Sequence, residues 1–129
     1  MARESLLIVE MASRYVLVVE DDADVRRMVV DYLRRSCPDV REASDGAEAL
    51  VLLEAAGPPS VVLTDIVMPG VLGTSVAEYL RVTEEASVPL AFVTGSPEMA
   101  PAGGTVFPKP AKLRALRDFV ISHLKPLRT

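Results

Sequence analysis

The chain has 129 residues, half of them apolar and a quarter charged, with a net charge of -4. That is one globular domain of ordinary size with no room for a second, and the acidic balance argues against general nucleic-acid binding. Cys37 is the only cysteine, which excludes an intrachain disulfide and a cysteine-based metal cluster; it reads as a small half-buried residue in a reducing compartment. The apolar runs are too short to span a bilayer, and Leu6 to Val9, flanked by Glu4 and Glu10, is too brief for a secretion signal, so the expected location is the cytoplasm, away from membranes.

Brief apolar runs alternate with longer segments of helical period, the pattern of a parallel sheet covered by helices on both faces. Leu6-Leu7-Ile8-Val9-Glu10 resembles Val16-Leu17-Val18-Val19-Glu20, but only the second is followed by further acids. Residues 1–14 therefore read as an extension and residues 15–127 as the domain. Tyr15 to Val19 is the first strand. Residues 24–36 place Val25, Met28, Val29, Tyr32 and Leu33 on one face with arginines elsewhere, which predicts an amphipathic helix ended by Pro38. Val40 to Ala43 is a second strand, and Ser44-Asp45-Gly46 offers caps for a helix that runs to Gly57-Pro58-Pro59.

Val61 to Thr64 predicts a third strand, buried on both sides and ending at Asp65. Thr74 to Thr83 is a third helix, Leu90 to Thr94 a fourth strand and Thr105 to Phe107 a short fifth. Leu113, Leu116, Val120 and Leu124 then recur at spacings of three and four, a clear helical stripe. From Lys109 onward six basic residues face one acid, Asp118, which reads as a solvated helix face; His123, the only histidine, reads as an exposed residue near that helix's end.

If the first and third strands are neighbours, with the second at the outer edge, Glu20, Asp21 and Asp65 meet at the C-terminal end of the sheet, where parallel-sheet proteins place ligands. Three like charges so close require a cation, and an oxygen-only set with few protein ligands suits Mg²⁺. Thr94 and Lys109 lie at two further strand ends. A hydroxyl, an ammonium and a metal around one carboxylate can neutralise a phosphoryl group transferred to that carboxylate, which would act as nucleophile and form an acyl phosphate.

With these motifs, Leu17-Val18-Val19-Glu20-Asp21-Asp22, Thr64-Asp65-Ile66-Val67-Met68-Pro69, Val93-Thr94-Gly95 and Lys109-Pro110, residues 15 to 125 resemble a bacterial response-regulator receiver domain. The resemblance implies a flavodoxin-like, doubly wound five-stranded parallel sheet of order 2-1-3-4-5. It implies Asp65 as phosphoacceptor, Glu20 and Asp21 as Mg²⁺ ligands directly or through water, and the backbone carbonyl of Val67 as another. Thr94 becomes the switch hydroxyl, Lys109 the partner of the phosphoryl group, and the Lys109-Pro110 bond is expected to be cis. The phosphoryl donor would be a sensor histidine kinase or a histidine phosphotransfer protein. The output would be an interaction with a downstream protein, with a homodimer one option; such a module is no enzyme beyond its own phosphorylation and dephosphorylation. A stand-alone regulator and a receiver from a hybrid kinase both fit.

The chain also departs from the family. Only fourteen residues separate Thr94 from Lys109, and Pro97, Pro101, Gly103 and Gly104 among them oppose a helix, so the fourth helix should be absent or reduced to a turn. Val106 stands where an aromatic switch residue is common, with Phe107 beside it; Ala111 replaces a common Phe, and Leu72 a common acid. Two alternatives remain. A phosphatase of the haloacid-dehalogenase type would want a second acid where Val67 stands, and a non-phosphorylated pseudo-receiver would have no need of the intact acidic cluster and Lys109.

Overall fold

The structure, a computed structural model, describes residues 15–83 and 87–124; the expected extension over residues 1–14 and the last residues of the expected domain lie outside them. Among these residues five strands form one parallel sheet in the order β2-β1-β3-β4-β5: β1 is Val16–Val19, β2 Val40–Ala43, β3 Val61–Thr64, β4 Leu90–Thr94 and β5 Thr105–Pro108. The expected flavodoxin-like order is thus the observed one. β1 pairs with β3 in the register Val19 opposite Thr64, so the residues that follow each strand, Glu20 and Asp65, leave the sheet side by side. β1 and β3 are buried along their whole length, as central parallel strands covered on both faces must be.

Among the described residues four helices cover the sheet: α1 (Ala23–Leu33), α2 (Gly46–Ala56), α3 (Gly73–Val82) and α4 (Leu113–His123). Val16 and Val18 of β1 pack with Val29 and Leu33 of α1 and with Leu116 and Val120 of α4. The alternate residues Leu17 and Val19 pack with Leu53 of α2 and with Val76 and Leu80 of α3, as the period of two in a strand demands. Full burial of side chains such as Leu116 contributes about 1.5–3 kcal/mol each.

The predicted ends hold with instructive exceptions. Asp22 caps α1, its carboxylate accepting the N–H groups of Asp24 (3.0 Å) and Val25 (3.1 Å). That helix closes at Leu33 instead of at residue 36: the N–H groups of Arg35 and Ser36 bond back to Tyr32 and Leu33, a tightened last turn that lets Cys37 tuck in, fully buried, ahead of Pro38. Asp45 caps α2, and Glu48 reaches back to the Ser44 N–H. His123 is half-buried, its ring lying against Phe119 at 4.6 Å, where an exposed residue was expected.

Between β4 and β5 the chain forms a single 3₁₀ turn, Pro97–Met99, in place of a helix. The segment that follows closes on itself, Gly104 N–H donating to the Pro101 carbonyl, with Gly103 at φ 83°. It runs directly over Phe92, whose ring would lie 3.6 Å from a Cβ placed on Gly104; this cover keeps Phe92 at 3 % exposure without the missing helix.

α3 begins where the backbone passes closest to the site. A Cβ on Gly73 would sit 1.7 Å from the Asp65 carbonyl oxygen, so only glycine admits the approach. Leu72, the N-cap of α3, supplies no side-chain cap. Because the clash is with backbone on a central strand end, Gly73→Ala should cost about 2–3 kcal/mol, the upper part of the overpacking range. Its melting temperature should fall well below that of Gly57→Ala, where the positive φ is strained but nothing lies within 4 Å; thermal melts of both variants check this.

Candidate functional site

The site gathers residues from loops at the C-terminal ends of β1 and β3 and from the segment after β5. Glu20 and Asp65 are buried, at 4 % and 7 % exposure, while Asp21 is exposed. Carboxylate oxygens of the three lie within 4.8 Å of one another. Asp65 is fixed from several sides. Its N–H donates to the Val19 carbonyl (3.0 Å), its Oδ1 accepts the Ile66 N–H (2.7 Å), and its carbonyl accepts the Thr64 hydroxyl (2.8 Å).

Lys109 joins the acids. From the end of β5 its Nζ lies 2.7 Å from Glu20 Oε1 and 2.8 Å from Asp65 Oδ2. Its backbone N–H is held by the Thr94 carbonyl (2.8 Å), and the Lys109-Pro110 peptide is cis, as expected. Burial pushes the Lys109 ammonium down, but the hydrogen bonds to Asp65 and Glu20 outweigh it and hold its pKa above the ordinary lysine value. Burial pushes the Glu20 carboxyl up, against the opposing pull of Lys109.

Three carboxylates face one ammonium, an acidic excess that a divalent cation would offset. The donor set is oxygen only and partly open at Asp21, which fits Mg²⁺ better than a soft metal. Thr94, fully buried on β4, accepts the Ser96 N–H at its hydroxyl (2.9 Å), which leaves the hydroxyl proton free of that contact. Val67, two residues after Asp65, is 47 % exposed.

The chain's departures have a structural counterpart. Phe107 turns toward α4, its ring edge-to-face with Phe119 at 5.7 Å, while Val106 lies half-buried on β5 opposite Phe92. Ala111 packs at the margin of the α1–α4 core. No aromatic therefore stands at the position of Val106. Two contributors escape sequence reading: Arg26, whose guanidinium reaches the Glu20 carbonyl (2.7 Å), and Gly73, which admits α3 against Asp65. Arg26 follows the Asp22 cap by one helical turn, the one signal that points at it.

The chain is similar to known proteins over most of its length. The sequence profile of the response regulator receiver domain matches residues 16–106. The response regulator receiver protein CpdR of Brucella abortus is 37 % identical over 109 residues, covering 78 % of this chain and 88 % of its own length. The transcriptional regulatory protein YrkP of Bacillus subtilis is 35 % identical over 79 residues, 61 % of this chain; the match takes in 32 % of that protein, so the chain spans about a third of its length. The receiver domain of the hybrid histidine kinase CckA superposes with a TM-score of 0.70 at 32 % identity, covering 86 % of this chain and 99 % of that one.

The chain belongs to the response-regulator receiver family. It is therefore a signalling module of the two-component class, and the dehalogenase-type alternative has no support from the match.

The ion triad makes a stability prediction. With Lys109→Met, Glu20 loses the ammonium that opposes the upward push of its burial, so its folded-state pKa rises further above the unfolded one. The folded variant then binds more protons than the unfolded chain above about pH 4, the ordinary carboxylate range, and its stability falls as pH rises. The loss relative to wild type should be small at pH 4 and about 3 kcal/mol at pH 7.5, the low end for breaking a buried pair because Lys109 keeps some solvent contact. Urea unfolding at the two pH values measures it.

Proposed function

We propose that the chain takes a phosphoryl group onto Asp65 from a phosphohistidine, carried by a sensor histidine kinase or a histidine phosphotransfer protein, and so switches an interaction with a downstream protein. The observation that carries this reading is Lys109 Nζ bridging Glu20 and Asp65: a nucleophilic carboxylate already paired with the cation that an incoming phosphoryl oxygen needs. The Asp65 carboxylate attacks phosphorus, the P–N bond to the donor imidazole breaks as a P–O bond forms, and the freed imidazole nitrogen takes up a proton. The product is an acyl phosphate on Asp65.

Glu20 (directly or through water), Asp21, Asp65 and the Val67 carbonyl would hold Mg²⁺, whose charge offsets that of the phosphoryl oxygens. Lys109 pairs with one phosphoryl oxygen. Thr94 turns its hydroxyl proton toward another. Since Ser96 N–H rests on that same hydroxyl, movement of Thr94 loosens the start of the 3₁₀ turn and the cover over Phe92, a route outward that needs neither a fourth helix nor an aromatic at Val106. We place the chain in the cytoplasm and the domain over residues 15–127, with residues 1–14 as an extension. Among the described residues no helix is long and apolar enough to cross a membrane.

One experiment tests both halves. Beryllofluoride with Mg²⁺ should bind wild type and not Asp65→Ala, and binding should raise amide exchange at Ser96 and across residues 97–104. Thr94→Ala should still bind the phosphate mimic but lose that exchange response. Equal binding to wild type and Asp65→Ala would overturn the site assignment.

A further inference from the structure

We propose that Arg26 is a positioning residue for the cation site, acting through the peptide that links Glu20 to Asp21; the inference rests on the Mg²⁺ reading of the site given above. Asp21 is exposed, and among the described residues its carboxylate has no side-chain or backbone partner. What aims it at Glu20 and Asp65 is therefore the direction in which the backbone leaves β1. The Asp21 Cα lies in one peptide plane with the Glu20 carbonyl, so holding that carbonyl fixes where the Asp21 side chain starts.

Arg26 holds this plane. Its Nη1 donates to the Glu20 carbonyl oxygen at 2.7 Å, just beyond Val19, the last residue of β1 in register with its neighbours. On the other side of the same residue, the Glu20 N–H donates to the Ala43 carbonyl of β2 (3.0 Å). Glu20, one of the two buried acids of the cluster, is thus pinned at both backbone groups. Asp22, next along, accepts the first N–H groups of α1, and its own N–H donates to Glu20 Oε2 (3.1 Å), so Asp21 alone in the loop depends on the backbone for its aim.

The Arg26 guanidinium is itself oriented. Its Nε donates to Glu42 Oε1 at 2.9 Å, and the second oxygen of Glu42 lies 4.0 Å from Arg34 Nη2, which also donates to the Val40 carbonyl (2.8 Å). Glu42 sits between two guanidiniums on the flank of β2. With its side chain at 19 % exposure, Arg26 is shielded enough for this fork to keep one geometry. A lysine could reach the carbonyl but could not grip Glu42 and the carbonyl as a planar fork.

The test is a Mg²⁺ titration of the unphosphorylated protein followed by amide NMR shifts, with thermal melts of each variant alongside. Arg26→Met should weaken Mg²⁺ 10- to 100-fold, the size of effect that supports of metal ligands have elsewhere. Arg26→Lys should recover part of the affinity, and Glu42→Gln should lose only a few-fold. The decisive comparison is with Asp21→Asn: if Arg26 acts through Asp21, Arg26→Met costs little more once Asp21 is Asn, whereas a merely structural Arg26 gives additive losses. Wild-type Mg²⁺ affinity in a folded Arg26→Met, or additivity in the double variant, overturns the proposal. If Arg26→Met does not fold, Arg26→Lys with and without Asp21→Asn decides by the same criterion. Failure of the wild type to bind Mg²⁺ overturns the cation reading itself, a result that no Arg26 variant can mimic.

Discussion

The ammonium of Lys109 holds the functional end of the molecule together. It reaches from the end of β5 across β4 to Asp65 beyond β3 and Glu20 beyond β1, so four neighbouring strands must end in register for one Nζ to touch both acids. Without a cation, Glu20 and Asp65 would be two buried carboxylates side by side, an arrangement whose desolvation and repulsion the rest of the fold would have to absorb. Much else around the site secures this bridge. Thr94 anchors the Lys109 backbone, and Gly73 lets α3 press on the Asp65 carbonyl.

The same arrangement keeps charge in tension. One ammonium offsets one of three acids, which leaves an acidic excess that the proposed function assigns to a cation. β1 and β3 are buried on both faces, and their apolar residues divide cleanly between the α1–α4 and α2–α3 layers. Against this rigid body stands the β4–β5 segment, one 3₁₀ turn and a Pro/Gly-rich bend, joined to the site at Ser96 and covering Phe92. Residues 97–99 and 101–104 are exposed, so under the proposed function a change at Thr94 has a short, solvent-facing segment to act on.

The sequence made the strands and the acids legible for simple reasons. Apolar runs such as Val61-Val62-Leu63-Thr64 end abruptly at a charge, and in a parallel sheet the residue after such a run lies at the ligand-binding edge. Pro97, Pro101, Gly103 and Gly104 foretold the loss of a helix, because each removes a donor or adds backbone entropy. What escaped depends on three-dimensional approach. The helix of residues 24–36 was read too long because Arg34 and Arg35 are good helix formers and only the tight turn into Cys37 shows where α1 stops. Arg26 looked like one more solvent-facing arginine of an amphipathic helix. Only the fold shows that one turn of helix carries it back over the Glu20 carbonyl, with Glu42 on the next strand to hold it. The approach at Gly73 left no pattern, since a glycine at the start of a helix is ordinary until the partner backbone is known.

The central claim is that Asp65 is the phosphoacceptor, and chemical trapping tests it most directly. After incubation with acetyl phosphate and Mg²⁺, borohydride reduces an acyl phosphate of aspartate to homoserine, which peptide mass spectrometry locates. Homoserine at position 65, absent when Mg²⁺ is omitted, is the predicted result. Homoserine at Asp21 or Asp22 in its place, or none at all under conditions that phosphorylate a related receiver, would contradict it.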